Sequence, residues 1–484
     1  MDRVFIFPEQ TDSRYAMAVT DYRICMVIAA ILLIVFIYGV ISLIFLRNEY
    51  HNRLLGVIKC ALPYLPVIIA VLCIKLPQGF LTNDEYSIYY DATNLIHDTW
   101  FNYMTVYFYI VSLIIFPFTY GPIIMKVIIE FFVVGYCVYR SQGFFGKRVG
   151  SLMYILFLLY PVIAYTTSAH RLPVYFLIYL ALFVKIIFDR LEKRDITFVQ
   201  AVLVLFSGAV LTQWRTEGIY LLVLVPILMF MAYPGLRKVK SALFVIAGYL
   251  IIQYVLWIPQ NGISANGLDS AANDRMKPFY AYTITNMYRN GLDTKANAAD
   301  LEIVDRYLSV DVIEKINEHY GDINYEDVLI LYKDGFIGVR PEAGDKEFAA
   351  YSEALGRIFV NNPGVFAATR WGAFCYAALP YHIEFSGTGL RELASFAISI
   401  VKTTAYNLFI PVTFMMAALV YCLIKRDWFD LFVFGGLAAH WFIVLVLAPA
   451  SYFKYYFPVY IISYFYMIFV LMRYLAKNKE KTAS

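Results

Sequence analysis

Apolar runs of about 18 to 25 residues, the length a helix needs to cross a hydrocarbon layer, recur along this 484-residue chain. A run of that kind leaves little choice of fold, because no water is present in a bilayer and each backbone N–H and C=O must be bonded within its own helix. Composition agrees: 61% of the residues are hydrophobic and only 16% are charged, which excludes an ordinary soluble enzyme. The expected class is an all-α, polytopic integral membrane protein. The net charge of +4 is small and scattered, so nucleic acid is not an expected partner. Cys25, Cys60, Cys73, Cys137 and Cys422 lie in or beside apolar stretches and only Cys375 in a long polar one, so no disulfide framework or metal knuckle is implied. Residues 1–21 lack the basic start and small-residue cleavage site of a secretory signal, so the first apolar run is expected to stay as a span.

Hydropathy places eleven spans, at 22–46, 57–76, 119–139, 149–167, 172–189, 197–214, 217–233, 241–258, 402–424, 428–447 and 455–474. Arg53 and Lys59, Arg140 to Arg148, Arg190 to Arg194, Arg237 to Lys240, Lys425 and Arg426, and the tail from Arg473 then share one parity, which the positive-inside rule makes cytoplasmic. The chain divides on this reading into a transmembrane module, 1–258, with an acidic first outer loop, 77–118; an extracytoplasmic segment, 259–401; and C-terminal membrane helices with a cytoplasmic tail, 402–484. The apolar stretch 101–118 would break the parity if it crossed, so it reads as a helix at the outer interface, with Tyr103, Tyr107 and Tyr109 at headgroup level; the alternative is a true span paired with an extra re-entrant piece.

The outer segment is too long for a structureless loop and is expected to be helical. Leu301, Val304, Leu308, Val312 and Ile316 recur at helical spacing over 300–320, and Asn361-Asn362-Pro363 opens an apolar helix through Leu379. No internal repeat is found, which speaks against the inverted halves of a transporter.

Chemistry is expected at the outer turns. Charged residues are rare within the spans; Lys126 and Glu130, four apart, read as a neutralising helical pair. The first outer loop carries Thr82-Asn83-Asp84-Glu85-Tyr86, then Asp91 and Asp98; later turns carry His170-Arg171-Leu172-Pro173, Gln213-Trp214-Arg215-Thr216-Glu217-Gly218 and Ser451-Tyr452-Phe453-Lys454-Tyr455-Tyr456. For Asp84 and Glu85 a helix-cap role is as good a reading as catalysis when they are taken alone. Together with cations in later turns they form both halves of a group-transfer site: a carboxylate can take the proton of an attacking hydroxyl, and Arg or Lys can hold a departing phosphate. Arg370, on the helix after Pro363, reads as snorkelling to the headgroups, with a carrier-phosphate role as the second reading. Glu217 is a weak partner for Arg215 if both lie on a helix, since residues two apart do not face one another.

In these motifs and their order, Asn83-Asp84-Glu85-Tyr86 after an early span, the His170 to Pro173 turn, the Thr212 to Gly218 turn and the closing Ala448-Pro449-Ala450-Ser451-Tyr452-Phe453-Lys454, the chain resembles the GT-C membrane glycosyltransferases. The nearest branch is that of the protein O-mannosyltransferases and aminoarabinose transferases. The resemblance covers about 57–260 and 402–475 and leaves 259–400 unmatched. It implies a GT-C-like fold in the cytoplasmic or plasma membrane, with an active site facing outside. It further implies inverting transfer of a sugar from a polyprenyl-phosphate donor to a glycan, lipid or protein acceptor. Asp84 or Glu85 would be the base, and Arg215, Lys454, His170, Arg171 and Arg370 would be the cations near the carrier phosphate. An acid often found in the second outer turn is replaced here by His170-Arg171, which argues against a metal there. A divalent metal elsewhere is compatible with the acid pair and not required by it. The rival readings are a surface-polysaccharide polymerase or ligase using a lipid-pyrophosphate oligosaccharide, which would want more outer cations, and a lipid-linked sugar flippase, which would want polar residues at mid-membrane.

Overall fold

The computed structural model describes residues 4–45, 49–75, 82–97, 101–166, 172–265, 270–319, 338–383, 387, 389–448 and 451–483. Among these the chain is helical; the one extended pairing is an isolated bridge between Leu308 and Val339. Eight segments are long and apolar enough to cross a membrane: Tyr15–Phe45, Glu49–Ile74, Gly121–Phe145, Leu172–Leu191, Val239–Gly262, Leu390–Lys425, Trp428–Leu447 and Phe453–Asn478. That is the architecture of a polytopic helical membrane protein, and each of the eight overlaps one of the eleven expected spans. The other three expected spans lie on shorter elements. The stretch 149–167 is divided into α7 (Lys147–Gly150), a 3-10 turn, α8 (Tyr154–Leu158) and α9 (Tyr160–Thr166). The chain leaves helical geometry at Leu159 and re-enters with Pro161 in the first turn, where a missing N–H costs nothing. The stretches 197–214 and 217–233 become α11 (Phe198–Trp214) and α12 (Leu221–Ala232), joined through a 3-10 turn at Thr216–Tyr220.

The chain forms two compact units, 1–262 with 410–440 and 457–484, and 263–409 with 441–456. In the first unit, α10 (Leu172–Leu191) is central: 83% of its apolar window is buried, against 11% for the peripheral α1 (Tyr15–Phe45) and α13 (Val239–Ala265). It packs on α6 (Gly121–Phe145), α11 and α12. The side chains of α1 that are buried are nearly all small, Ala18, Cys25, Ala29, Gly39 and Ser42, so α1 offers its bulky residues outward, as a lipid-facing helix does.

Charge clamps one end of this bundle. Arg140 near the end of α6 donates to Asp189 (2.9 Å) and Glu192 (3.2 Å) at the end of α10; Lys185 reaches Asp189 at 2.7 Å, and the Tyr233 hydroxyl just after α12 donates to it at 2.8 Å. The last turns of α6, α10 and α12 therefore meet. The chain between α6 and α10 has to travel the whole height of α10 to begin it at the other end.

The second unit has its own core. Tyr282, Ile284 and Met287 of α14 (Ser270–Arg289) pack with Val304, Ile313, Tyr351 and Leu355 from α15 (Ala298–Asp305), α16 (Val310–His319) and α17 (Asp345–Asn361). The expected helix over 300–320 is thus two helices. Its apolar stripe is retained, and Asp305 stands at the break, accepting from the Val310 amide (2.8 Å) and from Arg340 (2.8 and 2.7 Å). The helix expected after Asn362 is α18 (Pro363–Ala378). The C-terminal helices α19 (Leu390–Ala405), α20 (Phe409–Lys425), α21 (Trp428–Leu447) and α22 (Phe457–Ala483) follow.

The stretch 101–118 departs from expectation. Its helix, α5 (Tyr103–Ile115), has 13 residues, about 20 Å at 1.5 Å per residue, too short to cross. It does not lie on a lipid surface either. Tyr103, Tyr107 and Tyr109 are 4%, 8% and 0% exposed, packed in protein where headgroup contact was expected. Alternation of apolar and hydroxyl-bearing residues suits both a protein interior and an interface, and only the neighbours decide between them.

Candidate functional site

The acid pair sits at the start of a short helix, α4 (Asn83–Asn94), for a local reason. Thr82 is the N-cap: its hydroxyl accepts from the Glu85 amide (3.3 Å), and Glu85 Oε2 accepts from the Thr82 amide (2.8 Å), a reciprocal capping box. Leu95, in the left-handed region at φ 53°, ends the helix. Glu85 is 0% exposed, whereas Asp84 is half-buried. The two acids are therefore not equivalent: Glu85 is a buried capping residue, and Asp84 is the partly exposed one.

α5 connects this helix to the Arg215 turn. Asp84 and Glu85 both act electrostatically on the buried Tyr109 phenol. One turn earlier on the same face, the Thr105 hydroxyl accepts from the Trp214 indole N–H at 2.9 Å, and Asn102 donates to the Gln213 carbonyl at 3.1 Å. The acid helix and the Trp214-Arg215 turn thus both lie against α5. The turn stands one helix length, about 25 Å, from the Asp189 clamp.

Arg215 is 7% exposed and carries a partner. Its Nε donates to Glu217 Oε1 at 2.6 Å and an Nη joins the same oxygen, while its guanidinium lies 5.9 Å from the Tyr175 ring. The expectation that Glu217 would be a poor partner fails for a geometric reason. Arg215 lies between two helices in extended conformation, φ −136° and ψ 138°, so the rule for residues two apart on a helix does not apply.

Two buried clusters were not legible in the sequence. Lys126 of α6 is 0% exposed, and Glu85 as well as Glu130 lies within electrostatic reach of it. Glu130 in turn accepts from the Tyr64 hydroxyl at 3.1 Å. The expected Lys126–Glu130 pair is therefore part of a wider group that ties a membrane helix to the acid helix. At the other end of α4, His97 Nε2 donates to Asp21 of α1 (2.8 Å) and the Tyr107 hydroxyl donates to the same carboxylate (2.5 Å). Such contacts join residues 76 and 86 positions apart, for which no local pattern exists.

In the second unit Arg370 does not snorkel. It is 3% exposed, with Nε donating to the Leu445 carbonyl (2.8 Å) and Nη2 to the Ala448 carbonyl (2.7 Å), over the face of Phe279. Its charge is thus held by carbonyl dipoles and a ring. Nearby, a small cavity of about 160 Å³ is lined by Tyr282, Asn286, Arg289, Asn290, Thr369 and Tyr376. Burial pushes the Tyr282 phenol above its ordinary value, while the Ser451 hydrogen bond, Arg370 and Arg289 act the other way. Lys454, in a 3-10 turn at Phe453–Tyr456, lies 4.8 Å from the Tyr452 ring. His170, Arg171 and Asp98 lie outside the described residues. Among the described residues no three of His, Cys, Asp and Glu gather in a group that could hold a metal ion.

No family model, curated protein or solved structure matches this chain.

Proposed function

We propose that this protein is a membrane glycosyltransferase of the GT-C type, moving a sugar from a polyprenyl-phosphate donor to a hydroxyl acceptor at the outer face of the membrane. The observation that supports this most is the shared seat on α5: the capped helix that carries a half-buried carboxylate and the turn that carries a buried arginine both pack on one short helix. In the reaction the acceptor oxygen attacks the anomeric carbon and its proton passes to Asp84. The bond from the anomeric carbon to the phosphate oxygen breaks, with its electron pair leaving on the phosphate. Glu85 positions Asp84 by fixing the helix start, and Arg215 is the cation assigned to the carrier phosphate. The test is transfer of radiolabelled sugar from a polyprenyl-monophosphate donor in proteoliposomes. Product that requires the donor is expected; movement of donor across the bilayer without product would overturn the reading.

A second reading, a polysaccharide polymerase or ligase using a lipid pyrophosphate, draws on one observation. The second unit carries two arginines, Arg289 and Arg370, that both act on Tyr282. A diphosphate donor that is consumed while the monophosphate is not would favour it.

A further inference from the structure

A cavity opens in the first unit, at the end of the bundle opposite the Arg215 turn. We infer that it is a binding site for an anionic phospholipid of the leaflet that the positive-inside rule makes cytoplasmic. The cavity has a volume of about 990 Å³ and is walled by α6, α10, α11 and α2 (Glu49–Ala61). On α6, α10 and α2 the lining changes character in the same direction. Along α6 it runs from Arg140 to Val133 and along α10 from Asp189 and Lys185 to Ile178, while α11 adds Leu203 and Val204 between Gln200 and Ser207. The stretches from Arg140 to Val133 and from Lys185 to Ile178 each span seven residues, about 10 Å, and α2 repeats the pattern over one turn from Arg53 to Val57. A charged mouth over an apolar shaft of that depth matches a headgroup followed by the upper part of an acyl chain. A soluble anion would have no use for the shaft, and a nucleotide would want it polar.

Charge selects the headgroup. Arg53, Arg140, Lys185 and Arg194 line the cavity against Asp189 and Asp195, a surplus of two positive charges facing it. From outside the lining Glu49 holds Arg53, and Glu192 holds Arg194 and shares Arg140 with Asp189. Arg140 is 6% exposed, and its Nε is buried with no acceptor, the kind of donor a phosphate oxygen satisfies. Leu203 lines the cavity and is 57% exposed, so the shaft opens sideways on α11, where a lipid could enter from the bilayer. Basic pockets between membrane helices on the cytoplasmic side are suited to anionic headgroups.

The test follows the thermal midpoint of the full-length protein in detergent while phosphatidylglycerol, phosphatidylcholine of the same chains, or glycerol phosphate is added. Phosphatidylglycerol alone should raise it. Arg53→Gln/Arg194→Gln, which alters the rim, should weaken the response by about tenfold in lipid concentration. Ala181→Trp, which fills the shaft while keeping every charge, should abolish it; the two variants fail independently, so either one that folds is informative. Equal shifts from phosphatidylcholine, a shift from glycerol phosphate, or an undiminished response in the folded variants would overturn the proposal.

Discussion

Asp84 and Glu85 are adjacent, yet the helix start assigns them different work, and substitution should separate them. Asp84→Asn is expected to remove transfer while leaving the yield of folded protein near wild type, since a half-buried carboxylate on a first turn contributes little to stability. Glu85→Gln should instead lower the thermal midpoint, because the side chain is buried, bonds the Thr82 amide and faces Lys126. Turnover per folded molecule, with folded protein measured by size-exclusion, distinguishes the two; full activity in Asp84→Asn would leave the pair as a helix cap. For Arg215, truncation to Ala strands Glu217 in a buried site and should cost about 3–5 kcal/mol, while Arg215→Ala/Glu217→Ala should recover most of that. A single variant as stable as wild type would mean the pair is not a structural one. The identity of these residues as site candidates was legible, because polar groups at the mouths of apolar helices stand out against a 61% hydrophobic background. Their pairing was not, since it depends on the extended backbone at Arg215.

At the level of elements, long spans were readable from length and apolarity alone, which are local properties. The short ones were not. α5 and the broken segment from Lys147 to Thr166 take their places from what surrounds them, and hydropathy carries no record of neighbours. Helix contacts behave likewise, as α2 and α6 illustrate. Gly135 of α6 faces α2 so closely that an added Cβ would collide with the Val57 carbonyl oxygen and the Ala61 side chain, a small residue where two backbones approach. Gly135→Leu should part the helices and lower the thermal midpoint by several degrees, on the order of a core overpacking change. Gly143→Ala, with open space around the new methyl, should match or slightly exceed wild type. Comparable losses in both would assign the effect to helix propensity and not to contact.

For the whole molecule the sharpest question is which side each connection faces. Because Arg140 and Asp189 are bonded, reporters fused after Arg148 and after Arg194 should report the same side, and the positive-inside rule makes it the cytoplasm. A reporter near Asn290 should read external. Opposite readings after Arg148 and Arg194 would be incompatible with the clamp at Asp189. The parity of charged loops put Arg140 and Asp189 on one side, and their ion pair agrees, although the connecting segment is not one helix. The first helix carries a different consequence. Its 31 residues extend about 46 Å, well beyond a hydrocarbon layer of about 30 Å, and its large side chains face outward. Excess length in a bilayer is relieved by tilting or by thickening the lipid around it. Asp21, one and a half turns from the start of that helix, is tethered to His97, two residues past the Leu95 that ends the acid helix. Bilayer thickness therefore acts on a lever whose short arm ends beside Asp84's own helix.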